Sequence, residues 1–95
     1  MAMNSTDNTI LRCGRRVPTS LYRSVLYRVL DRHAVLELGI PYTLKMICGE
    51  QYWSGLGPLR NAAGWIMAEL VDEGLVPYLF ASERDAKPLW YRLKP

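Results

Sequence analysis

Residues 57–77, GPLRNAAGWIMAELVDEGLVP, decide how this chain folds. A proline is tolerated in the first turn of a helix, so the helix is expected to begin near Pro58 or Leu59. Leu59, Ala63, Ile66, Met67 and Leu70 then recur with helical period, and Ala62 and Val71 sit at the margins of that apolar arc. Gly74 is the stop, and a β-prone run follows at once. The outward side of the same helix holds Asn61, Trp65, Ala68 and Asp72, with Glu69 adjacent. The stretch carries one arginine, Arg60, against Glu69, Asp72 and Glu73.

Upstream, Thr19 and Ser20 offer an N-cap after Pro18, and an apolar period follows. Tyr22, Val25, Leu26, Val29, His33 and Leu36 fall within about one 100° arc, while Arg23, Ser24, Arg28 and Asp31 lie outside it. Gly39, with Pro41 two residues on, ends this helix. Thr43 supplies a second N-cap for a short helix, LKMIC, which Gly49 closes. Trp53 then sits in a turn-rich connection with Gly55, Gly57 and Pro58, and reads with Trp90 as a core or strand residue.

Downstream, LVPYLFA and PLWYRL are β-rich runs joined by the charged SERDAK, which reads as a hairpin. The element order is helix, short helix, helix, hairpin. A short helix, a turn and a longer helix followed directly by two strands is the α+β arrangement of a winged helix-turn-helix, three helices and a two-stranded β-wing. Residues 1–17 read as an N-terminal arm expected to be partly disordered, with a short extended segment at ILRCGRR, and residues 18–95 as the winged-helix domain. A small α+β domain of the same element order but different packing is the alternative.

Composition bounds the function. The 95 residues suffice for one domain and one core, with 49% hydrophobic and 22% charged residues. No apolar run approaches the roughly 18–20 residues needed to span a bilayer. The start does not read as a secretory signal, so a cytoplasmic location and no membrane partner are expected. Cys13 and Cys48 have no metal-ligand spacing and read as reduced thiols. Net charge is +3, with basic ends and an acidic middle. His33 reads as a packed structural histidine, and SGLGP lacks the Lys-Ser/Thr of a phosphate loop. No nucleophile is paired with a base, so neither catalysis nor a cofactor or metal is expected.

The segments YTLKMICGEQYWSGL, RNAAGWIMAELVDEGLVPYLF and KPLWYRL resemble a group of small winged helix-turn-helix proteins of bacteria, phages and mobile elements whose function is unassigned. The resemblance covers roughly residues 42–93. It implies architecture rather than chemistry. Those proteins tend to carry basic residues early in the third helix, where this chain has LRNAAG with only Arg60.

Two functions compete. The first is a small DNA-binding transcriptional regulator contacting double-stranded DNA. Arg60 and Asn61 would read bases, with Trp65 at the same surface, and Arg84 and Lys87 on the wing and Arg15 and Arg16 on the arm would hold phosphates. Arg12 in the arm and Arg23, Arg28 and Arg32 in the first helix are further cations. The alternative is a protein-interaction module from a phage or mobile element that inhibits a host complex, in the manner of an anti-CRISPR protein. Trp65, Glu69 and Asp72 would then form the partner surface, since Trp is enriched at binding hot spots. Homodimerisation is open under either reading.

Overall fold

A computed structural model describes residues 7–95. The chain is α+β. A β-hairpin leads, formed by β1 (Asn8–Ile10) and β2 (Arg16–Pro18), and α1 (Thr19–Arg32) follows. Next come β3 (Tyr42–Thr43), α2 (Leu44–Cys48), α3 (Glu50–Leu56) and α4 (Arg60–Asp72), then β4 (Tyr78–Phe80) and β5 (Trp90–Leu93). A second sheet has the order β3-β5-β4, antiparallel throughout.

The elements meet in one core. Leu21, Val25 and Val29 of α1 face Ile47 and Cys48 of α2 and Ala63, Ile66, Met67 and Leu70 of α4, with Tyr78 and Tyr91 from the sheet. Four of the five expected α4 core residues are buried, but Leu59 precedes the helix in a 3₁₀ turn and is 39% exposed. The part of the arm beginning at Asn8 is a paired hairpin, turned at Gly14 with φ +93. It seats Leu11 and Val17 in the core at 2% and 0% exposure. The start of the arm, residues 1–6, lies outside the described residues.

The first helix differs from expectation at both ends. Pro18, not Thr19 or Ser20, is its N-cap, and no side chain caps it. Thr19 instead bonds back to the hairpin, its hydroxyl 2.9 Å from that of Thr9. At the other end a 3₁₀ turn, His33–Val35, begins where the His33 N–H turns to the Leu30 carbonyl. A buried contact coincides with the break. The Tyr78 hydroxyl, inside the core, donates to the Val29 carbonyl at 2.7 Å and occupies the acceptor that a continuing helix would use. His33 is thereby exposed rather than packed.

Thr43 does cap α2, its hydroxyl accepting from the Met46 N–H. Thr43 also belongs to β3, a strand that sequence reading assigned only to the cap. Five residues are too few for a self-sustaining helix. The C-terminal end of α2 is held from α1: Arg28 Nε donates to the Cys48 carbonyl and Arg32 Nε to that of Ile47, both at 2.9 Å. Cations at the C-terminal carbonyls also complement the helix dipole. Gly49 follows with φ +92, a conformation side chains resist, and a Cβ there would meet Arg28 Nη2 at 3.4 Å.

The expected turn-rich connection around Trp53 is helical over Glu50–Leu56. The Trp53 N–H reaches back to the Gly49 carbonyl, and Tyr52, Trp53 and Leu56 pack half-buried on the core. Their i, i+1, i+4 spacing is the helical period that the glycines obscured.

Candidate functional site

The outward stripe of α4 is the floor of an open groove of ≈ 1400 Å³. The hairpin turn lies along one side, with Arg12, Cys13 and Arg15, and the loop between β4 and β5 lies along the other, from Arg84 to Leu89. Its volume exceeds the roughly 300–1,000 Å³ of small-molecule pockets, so the groove has the scale of a macromolecular contact.

Eight of the nine site residues expected from sequence line this groove: Arg15, Arg60, Asn61, Trp65, Glu69, Asp72, Arg84 and Lys87. The exception is Arg16, which stands exposed on β2, paired with Ile10 and outside the groove lining. Spacing brings the α4 members together, because residues 61, 65, 68 and 72 repeat every three or four positions. Lys45, at the start of α2, also lines the groove. Sequence reading passed over it because the placement of α2 beside α4 is a tertiary fact. A basic residue next to the Thr43 cap was the available signal.

Along α4 the groove changes character. The first turn carries Arg60, whose Nε donates to the Trp53 carbonyl at 3.2 Å, and the exposed Asn61. Gly64, Trp65 and Ala68 follow, uncharged. Nothing lies within 4 Å of where a Cβ on Gly64 would stand. The Arg15 guanidinium lies over the Trp65 ring, 4.0 Å from its centre, and leaves Trp65 38% exposed. Trp65 is thus partly covered by the N-terminal hairpin and partly open.

The acids at the end of α4 have arginine partners. Glu69 Oε1 accepts the Arg12 backbone N–H, and Glu73 pairs with the Arg12 guanidinium at 3.3 Å. Asp72 accepts both Nη1 and Nη2 of Arg84, at 3.0 and 2.9 Å. Arg84 also lies 4.2 Å over the Phe80 ring. Of the three acids, Asp72 and Glu73 are thus ion-paired, by the β4–β5 loop and the hairpin, and Glu69 is held by a backbone N–H. The side chains of Lys45 and Lys87 make no hydrogen bond or ion pair to another described residue. Six cationic side chains against three carboxylates line the groove, an excess on its rims and in its first turn.

Ionisation elsewhere follows burial. Cys48 is pushed up to about 11, against the opposing pull of Arg28 and Arg32. Tyr78 and Tyr91 are raised mainly by burial, and Tyr22 by burial and then by Glu69 and Glu73. Cys13 is exposed, Cys48 is buried, and neither is in a disulfide. Among the described residues no group of three or more His, Cys, Asp or Glu is placed to hold a metal ion. No described helix is long and apolar enough to cross a membrane.

No protein family, curated protein or solved structure matches this chain. The groove must therefore be interpreted from its own chemistry.

Proposed function

We propose that this chain is a small DNA-binding regulator of the winged helix-turn-helix type, with α4 as its reading helix and the β4–β5 loop as its wing. The element order after the hairpin supports the fold assignment, as does a sheet in which the strand before α2 lies beside β5. The inserted α3 lengthens the turn between the second helix and the reading helix.

One observation carries the functional reading: Arg60 and Asn61 open the floor of a groove whose rims carry Arg12, Arg15, Lys45 and Lys87. Asn suits adenine and Arg suits guanine or phosphate in a major groove. Cations along the rims would neutralise phosphates on either side and release counterions. With Asp72 and Glu73 already ion-paired to arginines, repulsion of a polyanion is reduced at the end of the helix. Gly64 leaves the middle of the floor open to close approach.

The test is fluorescence anisotropy with mixed-sequence duplex DNA between about 50 and 200 mM salt, the range over which phosphate contacts lose most of their effect. Binding should weaken steeply with salt, and Lys45→Ala with Lys87→Ala should flatten that dependence. Absence of binding at the lowest salt would sink the reading.

The half-open Trp65 favours a second reading, a protein-interaction module that blocks a host complex. In that case Trp65→Ala would abolish capture of the partner without loss of fold, and duplex DNA would have no effect on the protein.

A further inference from the structure

The outward face of α1 carries a pattern that the groove does not use. Tyr27 is 65% exposed and Leu30 40% exposed, although both are large and apolar. Arg23 lies one turn before Tyr27 and Asp31 one turn after it, both exposed. On a helix of about 100° per residue these four side chains share one arc. Neither Arg23 nor Asp31 has an ion pair among the described residues, where Arg12–Glu73 and Arg84–Asp72 are the two found.

Arg23 and Asp31 stand four residues to either side of Tyr27, so the charges of this face are complementary to themselves when it is reversed. We infer that this face binds a second copy of the chain, with two α1 helices antiparallel about a two-fold axis passing at the level of Tyr27. The two Tyr27 rings then meet at the axis, and the Leu30 of each copy flanks them. The same axis brings Arg23 of each copy within reach of Asp31 of the other, so both ion pairs form at once. A two-fold contact requires such self-complementarity, and opposite charges at the rim fix its register.

Val35, Leu38 and Ile40, in the segment after α1, are also exposed, at 64%, 62% and 43%. With Tyr27 and Leu30 they leave roughly 500 Å² of mainly apolar surface open, the upper range for a monomer. A contact that extended over that segment would cover on the order of 1,000 Å² from these side chains in two copies, near the low end of specific interfaces. No residue of α1 lines the groove, so pairing would leave both grooves open.

Charge reversal in two separate proteins tests the pairing. R23D makes the face all acidic and D31R makes it all basic. At roughly 100 µM the unaltered chain should sediment mainly as a dimer, consistent with a Kd of ~10 µM. Each single variant should associate about tenfold more weakly with itself. Mixing the two should restore dimer, because each acidic face then meets a basic one at both ends. The inference is overturned if the unaltered chain is monomeric at that concentration, if the reversals leave self-association unchanged, or if the mixture stays monomeric. Should either reversal unfold the chain, Tyr27→Glu reads the same contact, and undiminished association would overturn it equally.

Discussion

Arg84 and Asp72 meet fork to fork, with two parallel N–H···O bonds joining the β4–β5 loop to the last turn of α4. Both side chains are about half exposed, 57% and 44%. An exposed pair of this kind contributes about 0–1 kcal/mol to stability. Its larger effect is on Arg84, whose charge is offset and whose fork is taken while Asp72 holds it, leaving only its remaining N–H groups for a phosphate. Asp72→Asn should leave the urea midpoint nearly unchanged and tighten binding to duplex DNA. The salt dependence should steepen by about one phosphate contact. Anisotropy titrations at several salt concentrations check both effects, and unchanged slope and affinity would count against Arg84 as a phosphate ligand.

Gly64 weakens α4 where nothing occupies the space of a Cβ. Alanine there should stabilise the fold by about 0.5–1 kcal/mol, the ordinary difference between the two residues in a helix interior. The same methyl raises the groove floor, so Gly64→Ala should weaken ligand binding while raising the melting temperature. Parallel thermal melts and titrations separate the two. Binding that improves along with stability would mean that nothing approaches the backbone at this point.

Tyr78 is fully buried and donates to a backbone carbonyl where α1 breaks. Removing the hydroxyl in Tyr78→Phe should cost about 1–3 kcal/mol, since it leaves the Val29 carbonyl short of a partner. Denaturant unfolding measures this loss. The ring still fills its place, so the variant should fold.

Alkaline pH should destabilise the protein. The Cys48 thiol ionises near 9.0 in an unfolded chain and only near 11 in the folded one. Its neutral form is the one that folds. The contribution is present in full below about pH 9 and is lost as pH rises from there through 11. The slope is roughly 1.4 kcal/mol per pH unit for each group held un-ionised. Tyr78 and Tyr91, raised from 10.0, add to the loss at higher pH. Urea midpoints between pH 7 and 11 should stay level and then fall, and Cys48→Ala should delay the onset.

Removal of residues 1–17 should unfold or severely weaken the domain. The cut takes away Leu11 and Val17, and burial of each such side chain is worth about 1.5–3 kcal/mol. The sum is a large share of the roughly 5–15 kcal/mol that holds a typical domain. Circular dichroism of the shortened chain checks this. Full retention of structure would return these residues to the status of an arm.

The α4 period was legible because four strongly apolar residues repeat without interruption and Gly74 ends the run. The β4–β5 hairpin was legible for a similar reason, since β-prone residues flank a charged loop. The N-terminal hairpin was not: three arginines, a cysteine and a glycine hide the single inward positions Leu11 and Val17. Two-residue β3 is invisible to any periodicity and exists because β5 offers it an edge. The contact at the break in α1 comes from Tyr78, forty-nine residues away, which no local pattern reveals.

Most candidate site residues were legible as types and positions, because one face of α4 groups them. Their pairings were not. Sequence shows acids on a helix and arginines elsewhere, but only folding reveals that Arg12 and Arg84 come to those acids. All but Arg16 of the residues expected for a basic ligand surface, and all of those expected for an acidic partner surface, line one groove.

The two guanidinium contacts at the end of α2 make that helix a dependent of α1. A segment of five residues cannot open and close on its own terms when its terminal carbonyls are fixed by Arg28 and Arg32. Its amide hydrogens should exchange with solvent only when α1 itself detaches, so the slowest-exchanging amides of α2 would clock the separation of two elements rather than the fraying of one.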